Sequence, residues 1–398
     1  NSFLTRVQPR IVLFIACAAF LVFGMSTAAL GPVLSELAER TGSTLAMVGS
    51  VLTFLFLGSL VIQLVAGPLN DRFGQHLLFL VSLVLLTIGL AAFTNSRSLP
   101  FMLAFVFITG LGQGGVDLGA NLVVSSAYPK NNTSVLNLLH FFFGLGAFFG
   151  PALAGIAISE TGSGLFIHWI AAGVFLVLAG IVFSLPDDKP GVTPPADETT
   201  ATIQKGAKIY LSPVLWLVCF LILVYVGIEY GLGSWATTYM QTSANLSLQN
   251  GALVTSAYWG ALTVGRLAGA AISRRLNRAW LLGAALAGSL VGTLGLLFSR
   301  GDMVATILFI IVIGFSFGTV YPTTVAITVA AFPRDQGKAV GLLAAMGSIG
   351  GLILPWAAGI LLEKISPLAY TLFLSVNALI LVILFVIFFR SARKETST

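Results

Sequence analysis

The chain has 398 residues, of which 57% are apolar and only 9% charged, and its formal net charge is +6. Soluble domains carry about 25% charged residues. The composition therefore excludes an ordinary soluble protein and indicates an integral membrane protein. The positive charge has no soluble domain to occupy, so we expect no nucleic-acid partner.

Membrane-spanning segments account for most of the chain. A helix needs about 20 apolar residues to cross a bilayer. Twelve stretches meet this requirement, at residues 10–31, 46–70, 77–95, 100–127, 134–158, 165–185, 211–241, 250–275, 279–298, 303–331, 337–363 and 367–391. The alternating pattern of an outer-membrane barrel is absent. The sequence predicts an all-α integral membrane protein with twelve transmembrane helices.

A glycine-rich charged motif follows the second segment. It reads Gly67-Pro68-Leu69-Asn70-Asp71-Arg72-Phe73-Gly74, and we interpret it as the loop to the third segment. The pattern GxLxDRxG resembles the signature of the major facilitator superfamily. The resemblance implies a gating motif of Gly67, Asp71, Arg72 and Gly74, with Asp71 facing the start of the eleventh helix near Gly337. The alternative is a simple turn with solvated charges.

A polar stripe runs along the fourth segment. Gln113, Asp117 and Asn121 recur every four residues and so share one helix face. An ionisable group inside a membrane is costly and indicates a functional site. We predict that this face binds substrate and that Asp117 carries a proton. The alternative is that the three side chains only connect helices.

The fifth segment carries Asn137 and His140, three residues apart on one face. We predict that both contribute to the substrate site. His140 either shares the proton of Asp117 or is a neutral hydrogen-bonding residue, and the sequence leaves the two readings open.

An internal repeat divides the chain. Residues Gly110, Gly114, Pro129, Pro151 and Gly155 recur 204 positions later as Gly314, Gly318, Pro333, Pro355 and Gly359. We predict two pseudo-symmetric six-helix bundles, at residues 1–185 and 211–398, joined by a polar cytoplasmic linker at residues 186–210. Repeats of this kind are typical of secondary transporters, which bind substrate between their halves.

The seventh and eighth segments add charge and aromatic rings. Tyr225, Glu229, Tyr230 and Trp235 lie on the seventh segment and Arg266 on the eighth. Aromatic faces and an acid suit a sugar, so we predict substrate binding for the first four and proton coupling for Glu229. Glu229 and Arg266 could instead form a static ion pair. The repeat places Tyr321 at the position of Asp117, which makes Tyr321 a further substrate-binding candidate.

Four segments carry a closer resemblance. Residues 110–121 (GLGQGGVDLGAN), 136–146 (LNLLHFFFGLG), 225–235 (YVGIEYGLGSW) and 265–269 (GRLAG) resemble the fucose and glucose/galactose proton-symporter branch of the superfamily. The resemblance implies proton-coupled sugar symport. In that branch the first helix carries an acid, whereas this chain has Phe23-Gly24-Met25-Ser26-Thr27-Ala28-Ala29 there.

No enzyme motif is present. The sequence lacks HExxH, CxxC and GxxxxGK[ST], so we expect neither an enzyme nor an ATP-driven pump, and neither a metal nor another cofactor. Energy would come from a proton gradient, with sodium left open as the coupling ion.

Lysine and arginine indicate the orientation. Fifteen of them fall on the side of the termini and four on the opposite side, which predicts that both termini are cytoplasmic. We expect a monomer in the lipid bilayer of a bacterial inner membrane.

The sequence therefore favours a proton-coupled symporter of a monosaccharide or similar polyhydroxylated solute that works by alternating access. The alternatives are a drug or lipid exporter of the same superfamily and a solute receptor that does not transport.

Overall fold

The computed structural model describes residues 9–128, 132–185, 206–273, 275–299, 302–333 and 335–395. Within these ranges it describes all side chains except those of residues 66–68, 71, 132–134, 206–208, 337 and 392–395. The described residues form helices and connecting turns, without a strand. The predicted cytoplasmic linker lies largely outside them.

The chain divides into two compact units, residues 1–198 and 199–398. The helices of the first unit are α1 Pro9–Ala28, α2 Leu30–Thr41, α3 Leu45–Val48, α4 Ser50–Phe73, α5 Gln75–Asn95, α6 Leu99–Ala127, α7 Asn132–Thr161 and α8 Phe166–Ser184. Those of the second unit are α9 Pro213–Ala244, α10 Leu248–Ile272, α11 Arg278–Ser299, α12 Met303–Ala331, α13 Gln336–Ile360 and α14 Pro367–Glu395. A 3₁₀ turn, Gly206–Leu211, precedes α9, and a π-helical turn, Leu361–Ile365, follows α13.

Membrane-spanning helices dominate both units. Eleven helices in the described part of the chain are long and apolar enough to cross a bilayer. The remaining predicted span is α10, which has 25 residues and reaches roughly 37 Å at 1.5 Å per residue. Its polar residues, among them Gln249, Asn250 and Arg266, lower its hydropathy below that of the others. The chain is an all-α integral membrane protein of twelve membrane-length helices.

The helix pairs of one unit recur in the other. In the first unit α1 packs on α7, α4 and α5 pack on α6, and α5 packs on α8. In the second unit the corresponding pairs are α9 on α13, α10 and α11 on α12, and α11 on α14. The sequence repeat therefore corresponds to a repeated packing arrangement.

Glycines at repeated positions permit these pairs. A Cβ at Gly146 would overlap the backbone of Leu21, and one at Gly350 would overlap the backbone of Leu223. These two glycines are 204 residues apart and bring α7 onto α1 and α13 onto α9. Small residues allow membrane helices to approach closely, because van der Waals packing drives their association.

Side chains cap the first turns of three helices in the second unit. The hydroxyls of Ser212 and Ser247 accept hydrogen bonds from Leu215 and Asn250 at the beginnings of α9 and α10. The carboxylate of Asp302 does the same for Ala305 at α12. Such caps satisfy backbone N–H groups that have no partner within the helix.

Two predicted boundaries are wrong in an informative way. The predicted first span, residues 10–31, is α1 followed by α2 after an interruption at Ala29, and the helical path continues to Thr41. The predicted loop at residues 67–75 is helical as far as Phe73. The chain then turns at Gly74, whose φ of 84° favours glycine.

The structure describes only part of the predicted gating motif. The Asp71 side chain lies outside the described residues, so its expected contact with the start of α13 near Gly337 stays a prediction. The Arg72 guanidinium lies over the ring of Phe73, 5.0 Å from its centre.

Candidate functional site

The predicted stripe on α6 makes two different sets of contacts. Gln113 is buried, and its Nε2 donates to the Thr27 hydroxyl of α1 at 2.9 Å. Asn121 donates through Nδ2 to both the carbonyl and Oδ1 of Asp117, at 2.7 and 3.2 Å. Asp117 and Asn121 are half-buried. Gln113 thus connects α6 to α1, while Asp117 is hydrogen-bonded only within α6 in the described part of the chain and is partly exposed.

The two candidates on α7 lie at its surface. Asn137 and His140 are both exposed. The His140 ring packs edge-on against Phe20 of α1, with 5.6 Å between ring centres. Proton sharing between His140 and Asp117 stays a prediction.

The second unit brings Glu229 and Arg266 together. Glu229 on α9 is buried, and its Oε1 lies 3.6 Å from Nη2 of Arg266 on α10. That distance is longer than the 2.7–2.9 Å or so of a charge-assisted hydrogen bond. The Arg266 side chain is 23% exposed and that of Glu229 is 5% exposed. The ion pair is therefore loose and open on the arginine side.

Aromatic side chains lie on the two helices that carry this pair and on α12. The Tyr225 hydroxyl donates to the Phe317 carbonyl at 3.0 Å. The rings of Tyr225 and Tyr321 lie 6.5 Å apart. Tyr230 packs edge-on against Trp259 at 5.6 Å. An acid, a cation and aromatic faces from α9, α10 and α12 thus meet within one unit.

Trp235 does not belong to this group. It is fully buried, its indole N–H donates to the Pro355 carbonyl at 2.8 Å, and its ring fills the space beside Gly359. In this structure its polar and apolar surfaces are both used in packing α9 on α13, and substrate binding by Trp235 stays a prediction.

Two residues at these sites were missed from the sequence. The Tyr258 hydroxyl donates to the Glu229 carbonyl at 2.9 Å, and Thr27 receives the Gln113 bond. Tyr258 lies eight residues before Arg266 on α10, a spacing of about two helical turns. That spacing could have indicated that both face α9, whereas a single threonine in α1 gives no such signal.

Comparison with known proteins identifies the family. The model of the Major Facilitator Superfamily matches residues 16–323 and 249–398. The chain belongs to this superfamily. It is accordingly a membrane transporter and not an enzyme.

The individual relatives have low sequence identity to this chain but match almost its whole length. The sodium-dependent glucose transporter 1 of Homo sapiens is 24% identical over 91% of this chain and 76% of its own length. The crystal structure of a nucleoside transporter has a TM-score of 0.77 and 15% identity, covering 95% of this chain and 99% of that one. The crystal structure of a D-xylose–proton symporter has a TM-score of 0.76 and 14% identity, covering 93% and 96%. These structures share the two-domain, twelve-helix fold.

Proposed function

We propose that the protein is a secondary active transporter that couples entry of a proton to entry of a monosaccharide or similar polyhydroxylated solute by alternating access. The observation that carries this proposal is Asp117, a half-buried carboxylate within a membrane helix that accepts a hydrogen bond from Asn121. A carboxylate there is costly unless it has a function. Loading and release of one proton is a function that needs an acid.

The substrate class rests on the second unit. Glu229 and Arg266 offer an acceptor and donors for hydroxyl groups, and the partly exposed Tyr230 and Tyr321 offer aromatic faces for the C–H surface of a sugar ring. Tyr225 is buried beside Tyr321, and we assign it to the wall of the same site. Two similar proteins carry names that include glucose and D-xylose. These features favour a sugar over a drug or a lipid, which would require a wider apolar surface.

The names of two similar proteins differ in the coupling ion, since one names sodium and the other names the proton. We propose the proton. A hard cation requires several oxygen ligands at once, whereas a proton requires one carboxylate, and Asp117 with Asn121 supplies one carboxylate and one amide.

Transport in reconstituted vesicles tests this function. Labelled glucose, galactose, fucose and xylose are offered under an inward proton gradient, an inward sodium gradient or neither. We expect accumulation of at least one sugar with the proton gradient, and loss of that accumulation on adding a protonophore. Accumulation with sodium alone would contradict the proton as the coupling ion.

Counterflow separates transport from binding. Vesicles preloaded with unlabelled sugar should take up labelled sugar without any ion gradient. Binding without counterflow would indicate a receptor. Stabilisation by apolar drugs or lipids, with no response to any sugar, would favour an exporter.

The remaining cellular context is part of the same proposal. The asymmetry of lysine and arginine supports cytoplasmic termini, and we propose a bacterial inner membrane as the location. We further propose that a single chain in the lipid bilayer suffices, without metal or cofactor.

A further inference from the structure

A buried histidine of the first unit holds the end of α1. His168 on α8 is fully buried, and its Nε2 lies 3.0 Å from the carbonyl oxygen of Ser26, in the last turn before the interruption at Ala29. A carbonyl can only accept a hydrogen bond. Nε2 therefore carries a hydrogen, and in the neutral ring Nδ1 then presents a bare lone pair.

Nδ1 of His168 is buried without a hydrogen bond among the described residues. Leaving such a group unpaired costs free energy, because its hydration is lost and nothing replaces it. Transport as proposed above does not use His168, so this nitrogen requires a separate account.

His168 borders a small cavity of about 10 Å³ inside the first unit. Its other polar walls are Ser26, Thr109 and Gln113, all of them buried. One water requires about 10–15 Å³ of such space. The cavity matches one water in size and is too small for a sugar.

Most donor groups of the residues that line the cavity already donate to other acceptors. The Ser26 hydroxyl donates to the Phe23 carbonyl at 3.1 Å, and the Thr109 hydroxyl donates to the Phe105 carbonyl at 3.0 Å. The Gln113 amide nitrogen donates to Thr27. The wall residues therefore offer mainly lone pairs, from Nδ1 of His168, the two hydroxyl oxygens and the amide oxygen of Gln113, together with the second N–H of Gln113. A guest that donates hydrogen bonds suits this set.

The rest of the wall selects against a charged guest. It consists of Leu30, Leu55, Leu90, Phe93 and Val106. The Phe93 ring packs edge-on against His168, with 5.3 Å between ring centres. A cation enclosed by this hydrocarbon would lack a counter-ion, which is costly. A neutral donor of two hydrogen bonds is water.

We propose that this cavity is a binding site for one water molecule, which donates to Nδ1 of His168 and to the amide oxygen of Gln113. The water connects α8 to α6 at the point where both hold α1, through Ser26 and Thr27. His168 is then a positioning residue: it keeps Gln113 oriented toward Thr27 at the end of the stripe that contains Asp117. The water site itself rests on the cavity and not on the identity of the substrate or the coupling ion, whereas its effect on KM rests on the transport function proposed above.

Nuclear magnetic resonance of ¹⁵N-histidine tests the site directly. The protein contains three histidines, so a His76→Gln/His140→Gln variant in nanodiscs leaves the His168 signals alone. We expect one protonated nitrogen, one nitrogen whose shift shows that it accepts a hydrogen bond, and magnetisation transfer from a bound water to that nitrogen.

Three results would overturn the proposal. A bare nitrogen at the shift of an unbonded lone pair, without transfer from water, means a dry cavity. Two protonated nitrogens mean a charged ring. A shift that depends on sodium but is unchanged by potassium or choline means a cation site.

Two further variants separate the water from the fold. Val106→Ile should reduce the cavity without removing a polar group and should abolish the water transfer, while the Nε2–H signal persists.

His168→Gln can keep the bond to Ser26 but lacks Nδ1, and we expect a raised substrate KM with little change in kcat. His76 makes a similar bond to the Val182 carbonyl at 3.0 Å, so His76→Gln is the matched control and should leave KM unchanged. Equal changes in KM for both histidine variants would contradict a positioning role.

Discussion

At the scale of single residues, Asp117 is where the coupling proposal can be tested. Asn at this position keeps the size and most hydrogen bonds of Asp117 but cannot bind and release a proton. We expect Asp117→Asn to abolish accumulation of sugar under a proton gradient and to leave counterflow largely intact. Both are measured in the same vesicles.

The matched control is Asp302→Asn. Asp302 is exposed and caps α12, and Asn caps helices about as well as Asp. Accumulation by this variant should equal that of the unmodified protein. Full accumulation by Asp117→Asn would remove Asp117 from the proton pathway.

Glu229 and Arg266 separate a substrate site from a structural ion pair. Breaking a tightly buried pair typically costs about 3–5 kcal/mol. The 3.6 Å separation and the partly exposed arginine predict less, so we expect a coupling free energy of about 1 kcal/mol from a double-mutant cycle of Glu229→Gln and Arg266→Gln. Glu229→Gln should nevertheless weaken sugar binding at least tenfold.

Thermal unfolding measures the coupling free energy, and binding isotherms measure the sugar affinity. Both are recorded for the unmodified protein, the two single variants and the double variant. Asp335→Asn breaks an exposed pair with Lys338 at 3.0 Å and serves as the control, with no change in sugar affinity. A large loss of stability in both single variants that is restored in the double variant would instead favour a static pair.

The residue types in the membrane helices indicated candidate functional residues, but they did not show which way the side chains point. Asp117 and Glu229 could be singled out because charge inside an apolar segment is costly. The sequence could not show how Trp235 packs, because an indole serves equally in a sugar site and in helix packing. Its N–H donates to the Pro355 carbonyl, 120 residues away, and that contact depends on how α9 and α13 pack.

At the scale of helices, Gly146 tests the contact between α7 and α1. A methyl group at this position would overlap the Leu21 backbone, so the helices must separate. We expect Gly146→Ala to destabilise the protein by about 1–3 kcal/mol, the usual cost of overpacking. Thermal unfolding in detergent measures it.

The control lies on α8, where Gly173 has open space around its Cβ position. Ala favours a helix over Gly by about 0.5–1 kcal/mol. Gly173→Ala should therefore leave the melting temperature unchanged or raise it. Equal effects of the two variants would mean that helix propensity, and not the contact with α1, determines the result.

The helices themselves followed from length and hydropathy, but their ends did not. The sequence predicted one span at residues 10–31, since nothing in its hydropathy marks the interruption at Ala29. It predicted a loop at Gly67-Pro68, where α4 continues to Phe73. Proline and glycine are tolerated in membrane helices, because neighbouring helices satisfy the backbone groups they free.

At the scale of the whole molecule, the repeat was the most reliable sequence feature. Glycines 204 residues apart make the same helix contacts in both units, and duplication explains why. The repeat does not predict which role each half has in transport. The repeat pairs Asp117 with Tyr321 and Glu229 with Met25, so the ionisable residues fall at different positions in the two units.

The orientation in the membrane is the remaining prediction for the whole chain. If both termini are cytoplasmic, Asn277 lies inside the cell, between Arg275 and Arg278, and Asn250 lies outside. Both are exposed. In intact cells, a membrane-impermeant maleimide should label Asn250→Cys but should label Asn277→Cys only after the membrane is opened. Cys17 and Cys219 are buried, so the unmodified protein should remain unlabelled. Labelling of Asn277→Cys alone in intact cells would mean that the chain is inserted the other way, and that its charge asymmetry does not determine its topology.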